Sequence, residues 1–443
     1  MTALRPLHGT WPYGALQASA EGFVQRVRFA QDSNSREVEG DTVSAGWQPG
    51  YVEVNIDPYS PEFLANPYAF HAALRDAGPV VWLPQYEVVV LARYEAVRSA
   101  LDDPATFCSR RGVGLSDFET EEPWRPPSII LEADAPLHTR TRGVLAQALS
   151  RAALADLAPT FDQQAREMVR ALTQRGQIDG ITDLAEAFPL AVFPDAIGVV
   201  KEGRENLLPY GDMAFNAFGP RNEHFERSFA NAQKVASWIA TQCERANLDP
   251  SGVGASIYAA ADAGEITAEE AGLLVRSLLT AGLDTTIFGI GATLYCLAQH
   301  PDQWAALKAE PRLARNAFTE VIRFLSPAQT FYRTTTREVR IEDVTIPEGQ
   351  KVLLCLAAAN RDPRHWQAPD AFDVRRRAVG HVGFGHGVHV CVGQQFARLE
   401  GEAVLRALIE QVEHIELTGE PVQRVNNTLY GFDALPMRLV GAT

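Results

Sequence analysis

Cysteine is scarce and unpaired in this chain. Cys108, Cys243, Cys296, Cys355 and Cys391 are its only cysteines, an odd and scattered set in 443 residues. None of the short paired spacings of a structural zinc site occurs. A disulfide scaffold is excluded, and a reducing, cytoplasmic setting is expected. Positive charge is also short: 40 Lys and Arg against 55 Asp and Glu leave a formal charge of −15. That argues against recognition of nucleic acid or an acidic membrane through net charge. The N-terminus lacks the apolar core of a secretory signal and an anchor helix, so no membrane attachment is expected. Beyond residue 50 there is no Pro/Ser-rich linker, and there are no repeats or low-complexity tracts. Gly383, Gly385 and Gly387 alternate. However, no Walker lysine follows and the acidic ribose partner of a dinucleotide fold is missing, so a phosphate cradle is excluded.

What is present is a chain that is 46% hydrophobic and 21% charged, enough to bury a large core. Length alone allows two or three domains. The uninterrupted patterning favours one catalytic unit, residues 48–443, with two lobes around a cofactor. Residues 1–47 form an extension that is expected to be mobile, with a short helix near Phe23–Phe29. Helices are expected over Pro67–Ala77 and Tyr94–Leu101, flanking a hairpin of Pro79–Leu83 with Glu87–Leu91. Arg111–Ile130 reads as a long loop, a length that in compact domains is often functional. Residues 139–299 read as nearly all helical. Strands return at Val339–Ile346 and Lys351–Leu356, and hairpins close the chain. The fold class is predominantly α with small β-sheets.

The longest predicted helix starts at the capping box Thr267-Ala268-Glu269-Glu270 and ends at Gln299, before His300-Pro301. About 32 residues at roughly 1.5 Å each would cross a whole domain. Arg276 and Asp284 would be expensive in lipid, which makes it a core helix rather than a membrane span. Inside it stands Ala281-Gly282-Leu283-Asp284-Thr285-Thr286. Gly and β-branched Thr weaken a helix interior, so an acid beside a hydroxyl there invites a functional reading. The bland alternative is a threonine bonded to its own preceding carbonyl and an aspartate at a local water.

Cys391 ends the run Phe384-Gly385-His386-Gly387-Val388-His389-Val390-Cys391-Val392-Gly393. A thiolate that holds haem iron must stay deprotonated and accept hydrogen bonds from its own loop. Gly387 and Gly393 are expected to supply the tight backbone excursion. The alternative is a buried structural cysteine. Two further pairs sit at helical spacing: Glu320 with Arg323, and His138 with Arg142 after Asp134-Ala135-Pro136.

These motifs, in this order, resemble the cytochrome P450 family of haem-thiolate monooxygenases, over roughly residues 50–443. The resemblance implies haem b between a helix-rich lobe and a smaller β-containing lobe, with Cys391 as the iron ligand. Phe384 and Gly387 would shape the thiolate loop, and His138, Arg142, Arg333 and His389 would meet the propionates. Ala281 and Gly282 would leave room above the haem, Thr285 would handle dioxygen, and Asp284 would relay protons. Glu320, Arg323 and Arg376 would form a structural triad without chemistry. No flavin or iron–sulfur segment is present, so electrons from NAD(P)H are expected through a ferredoxin and its reductase. These would dock behind Cys391 near Arg140, on a monomeric enzyme.

The loop Trp124-Arg125-Pro126-Pro127-Ser128, together with Asn216–Pro220 and Gln329-Thr330-Phe331, resembles the bacterial para-substituted-benzoate monooxygenases within that family. The resemblance implies a carboxylate site at Arg125, Ser128, Ser277 and Thr280. The ring would lie in an apolar slot of Leu131, Phe215, Phe218, Ala328 and Phe331. A buried carboxylate requires such donors. Thr280 stands where the subgroup commonly has Ser, and Ala328 where it commonly has Val. The pocket is therefore expected to admit larger para-substituents or a meta-methoxy group. The expected activity is O-demethylation of 4-methoxybenzoate to 4-hydroxybenzoate and formaldehyde. The alternatives are another planar acid (a cinnamate, a dimethoxybenzoate or a fused-ring carboxylate), a peroxide-driven oxygenase, or a haem-binding sensor without turnover.

Overall fold

The structure, a computed structural model, describes residues 50–442. The expected extension and the helix near Phe23–Phe29 lie outside the described residues. The smaller lobe is built on a six-stranded sheet. Its strands are β1 (Val52–Glu53), β2 (Val81–Leu83), β3 (Val88–Leu91), β4 (Phe107–Cys108), β5 (Thr330–Thr335) and β6 (Lys351–Cys355), in the order β1-β2-β3-β6-β5-β4. The β2–β3 hairpin forms where the Val-rich runs predict it, with Val81 opposite Val90. β3 and β6 are parallel, and β5 is antiparallel to β6. Phe331 and Arg333 are two residues apart on β5 and share a face, and both line the central cavity.

The larger lobe contains α1 (Leu137–Ala148), α2 (Leu207–Asn216), α3 (Ala268–Ala281), α4 (Asp284–Gln299), α5 (Ala314–Leu325) and α6 (Gln394–Gln411). Between residues 139 and 299 the helical expectation holds with one exception. Gln177–Asp179 is a strand, drawn out by pairing with the C-terminal strand Pro436–Gly441. Arg111–Ile130 contains no regular element.

The capping box forms as expected: Thr267 accepts from the Glu270 amide at 3.1 Å and Glu270 accepts from the Thr267 amide at 2.8 Å. The single helix does not. It breaks after Ala281 and restarts at Asp284. The hydroxyls of Thr285 and Thr286 donate to the Ala281 and Gly282 carbonyls, at 2.9 and 3.2 Å. Those carbonyls would otherwise receive the amides of the same two threonines. The Thr286 amide turns instead to the Leu283 carbonyl at 3.0 Å, which also takes the first regular helical bond of α4, from Ile287 at 3.0 Å. Every residue from Thr286 to Leu294 is buried. The stretch Ala268–Gln299 is long and apolar enough to cross a membrane, but 67% of its most apolar window is buried inside the protein.

Glu320 and Arg323 on α5 are fully buried. Arg323 donates to both carboxylate oxygens, at 2.7 and 2.8 Å, and Arg376 adds a third bond at 3.0 Å. Arg323 also donates to the carbonyls of Asn360 and Pro369, which ties α5 to the segment leading into the cysteine loop. Glu320→Ala would strand a buried guanidinium. We expect a loss of about 3–5 kcal/mol in unfolding free energy, read as a lowered denaturation midpoint.

Candidate active site

The cysteine loop runs from Gly383 to the start of α6. Gly385 and Gly387 have φ of 71° and 66°, the left-handed region that favours glycine. Gly387 also packs against the Leu101 carbonyl with no space for a Cβ. Gly393, in contrast to expectation, has φ −82°. The excursion it was expected to make is supplied by Gly385. Burial pushes the Cys391 thiol up, while the amides of Gly393 and Gln394 and the Arg142 and Arg398 guanidiniums pull it down. These are donors and charges that favour a thiolate over a thiol.

One cavity is lined by Cys391, Phe384, His389, Arg142 and Arg333, by Ala281, Gly282 and Thr285 at the helix break, and by every residue of the expected substrate site. Gly387, His138 and Asp284 stand behind that lining. His138 and His389 lie ring to ring, with centroids 4.1 Å apart. His389 is pushed down to about 3 by burial and by the cations around it, and burial pushes Arg333 down to about 10. Nε2 of His138 is buried without a partner. Arg142 and Arg333 donate to main-chain carbonyls, and Asp134, the nearest acid, is engaged by Ser109 and Arg110. Two guanidiniums and two imidazoles thus face one another with no carboxylate bound to either arginine among the described residues. A porphyrin with two propionates beside a single thiolate fits this cradle.

The other part of the cavity is built differently. The Ser128 and Ser277 hydroxyls meet at 3.0 Å. Ser277 donates to the Leu273 carbonyl and Thr280 to the Arg276 carbonyl. Arg125 has a side chain only 8% exposed and pairs with Glu132 at 3.0 Å. Arg276, which the sequence marked only as a charge ill-suited to lipid, also lines the cavity. Its guanidinium donates to the Pro126 and Pro127 carbonyls, and burial and then Arg125 hold its pKa below the ordinary value. The available signal was a cation directly preceding Ser277 in an apolar helix. Phe215, Phe218, Leu131, Ala328 and Phe331 form one apolar cluster with Val113, Phe288 and Leu429. Eight residues separate Ser277 from Thr285, with the helix break between them. Arg140, expected at a docking face, is exposed and bonds Glu270 in two contacts of 2.7 and 2.6 Å.

Asp284 is 4% exposed, and its carboxyl lies against Gly211 of α2, where no Cβ would fit. Burial raises its pKa from 3.8 to about 7; Arg424 pulls it down, and Asp212 and Glu186 push it up. Between these values the unfolded chain has lost a proton that the folded chain keeps. Stability therefore falls as pH rises through that window and is level above it. The displacement corresponds to roughly 4 kcal/mol. Asp284→Asn should remove the slope: the variant gains up to about that much over the parent at pH 8 and little at pH 4, by denaturant titration.

A thiolate loop under a broken central helix, with a cationic cradle beside it, defines a haem-thiolate oxygenase. The chain belongs to the cytochrome P450 family: the family model "Cytochrome P450" matches residues 245–436, and relatives match most of its length. Cytochrome P450 CYP199A2 of Rhodopseudomonas palustris is 56% identical over 394 residues, 89% of this chain and 96% of the relative. The beta-dihydromenaquinone-9 omega-hydroxylase of Mycobacterium tuberculosis is 32% identical over 86% of this chain and 78% of its own. The structure of cytochrome P450 CYP109Q5 from Chondromyces apiculatus superposes with a TM-score of 0.74 at 30% identity, covering 88% of this chain and 99% of that one. The protein is therefore a monooxygenase, an oxidoreductase that uses haem b, dioxygen and electrons from NAD(P)H passed through redox partners.

Proposed function

We propose that this enzyme oxidises para-substituted benzoates, above all by O-demethylating 4-methoxybenzoate, as a cytoplasmic monomer served by a ferredoxin and its reductase. The observation that carries this reading is the pairing of a buried and a half-buried arginine and two touching serine hydroxyls with a wall of phenylalanines in the cavity that Cys391 lines. A carboxylate buried there gains charge-assisted donors, and a flat ring gains apolar contact. The serine protons, now on neighbouring oxygens, can swing to an anion.

Cys391 would hold the haem iron, and His138, Arg142, Arg333 and His389 would hold its propionates. When bound, the haem supplies the oxidising chemistry: dioxygen, two electrons and two protons place one oxygen on the methoxy carbon and release the other as water. The resulting hemiacetal collapses to formaldehyde and 4-hydroxybenzoate. Asp284, which burial brings close to the midpoint of its titration at neutrality, takes up and releases a proton on its carboxyl, and Thr285 Oγ1 passes it into the cavity by turning from the Ala281 carbonyl. The clamp around Arg125, Ser128, Ser277, Thr280 and Arg276 holds the ring on the far side of the helix break from Thr285, with its para carbon toward the haem. Ala328 gives tolerance for a bulkier or meta-methoxy substituent.

Titration of the ferric enzyme with 4-methoxybenzoate and, separately, with its neutral methyl ester tests the proposal. A haem absorption shift with the acid alone is the expected result; no shift with either ligand removes the substrate assignment and leaves the family standing.

A further inference from the structure

We infer that Glu132 sets the charge of ligand that this site accepts: by neutralising Arg125 it leaves a single net positive charge, carried by Arg276, and so selects monoanions over dianions. The inference rests on the carboxylate-binding reading above and deepens it.

Glu132 is 6% exposed. Its Oε2 accepts from Arg125 Nη1 at 3.0 Å and from the Ser128 amide at 2.7 Å. The ion pair is buried on both sides, with side chains 8% and 3% exposed. Arg125 and Arg276 line the cavity and Glu132 does not, so the carboxylate stands behind the arginine it neutralises. Arg125 still has a buried Nε without a partner. Arg276 donates from Nη2 to the Pro126 and Pro127 carbonyls, which carry no charge. Around Arg276 the interacting groups are Arg125, Glu132, Tyr210 and Cys243, of which only the first two are charged near neutrality. Two cations and one anion leave a charge of one. Arg142 and Arg333, the other cations of the cavity, belong to the propionate cradle.

A monocarboxylate brings such a site to neutrality. A dianion leaves excess negative charge in a cavity whose remaining walls are aromatic and aliphatic, where desolvation is not repaid. The local chain explains the arrangement. Pro126 and Pro127 hold the backbone extended, and the Ser128 amide then folds back onto Glu132 four residues later, fixing Ser128 and Arg125 with one oxygen.

Glu132→Gln keeps an acceptor oxygen for both donors and removes the charge. The ferric holoenzyme is titrated with 4-methoxybenzoate, with 4-methoxyphenylphosphonate at a pH where it is a dianion, and with neutral 4-methoxybenzamide, following the haem absorption band. In the variant, the ratio of phosphonate to benzoate affinity should rise on the order of tenfold or more relative to wild type, with benzamide unchanged. Comparing ratios between the two proteins cancels the difference in ligand shape. An unchanged ratio, with benzoate still bound, overturns the inference and leaves the benzoate reading intact. Equal losses of benzoate and benzamide overturn it too, because Glu132 would then act only by holding Ser128. Failure of wild type to bind benzoate overturns both.

Discussion

Cys391→Ser should abolish monooxygenase turnover while leaving the chain folded. Cys391 is the only cysteine among the described residues that lines the cavity, so no neighbour can take its place. Cys108, Cys243, Cys296 and Cys355 are buried elsewhere. Burial pushes Cys243 up to about 12 and Cys355 up to about 11, values at which a thiol stays protonated and inert. Burial pushes Cys391 up as well, but the amides of Gly393 and Gln394 and the Arg142 and Arg398 guanidiniums oppose it, and of the five cysteines it is the one that faces the cavity. A serine oxygen in that position would remain protonated and neutral, and the electron donation that favours oxygen–oxygen cleavage would be lost. The measurement is product formation with redox partners, together with the paramagnetic resonance of the ferric protein. The variant should lose the thiolate signature and fall to background turnover. Cys355→Ser, a change on β6 away from the cavity, should retain both. A thiolate signature surviving in Cys391→Ser would sink the ligand assignment.

The second large effect is expected at Arg276. Removing one partner of a buried, hydrogen-bonded charge pair costs about 2–5 kcal/mol; Arg276 is half-buried, so Arg276→Leu should weaken 4-methoxybenzoate binding by the lower end of that range, roughly 30-fold. The charge arithmetic gives the reason: Arg125 is already paired with Glu132, whereas Arg276 has only carbonyl partners. Once Arg276 is gone, the clamp is neutral and the incoming carboxylate is a buried charge without a counter-ion. Leucine keeps the volume of the aliphatic stem, and the residue sits one turn inside α3, so the helix should persist. The methyl ester serves as the control. Its affinity should change little, because it brings no charge to compensate. An equal loss for acid and ester would mean that Arg276 shapes the pocket through the Pro126–Pro127 loop and not through its charge.

Much of this protein is legible in short stretches of sequence because the physics there is local. The capping box at Thr267 and Glu270, the Val-rich hairpin of β2 and β3 and the glycine-rich turn before Cys391 each depend on residues within a few positions of one another. The cysteine loop, the Asp284-Thr285 run and the Glu320–Arg323 and His138–Arg142 pairs are equally local, and they carry the family resemblance and with it the haem and the oxygenase class. Tertiary structure decided what depends on distant partners. The central helix breaks between Ala281 and Asp284, where threonine hydroxyls reach the Ala281 and Gly282 carbonyls, a local departure that helix periodicity alone does not resolve. Gln177–Asp179 becomes a strand only because residues 436–438 lie beside it. Arg140 is bound to Glu270, 130 residues away. The proton affinity of Asp284 follows from burial among Arg424, Asp212 and Glu186 on separate elements. The charge of the substrate site is the sum of Arg125, Glu132 and Arg276, which only folding brings together. Hydrogen-bonding patterns within a turn are written in order along the chain, whereas burial and electrostatic balance are sums over neighbours that the chain order does not name.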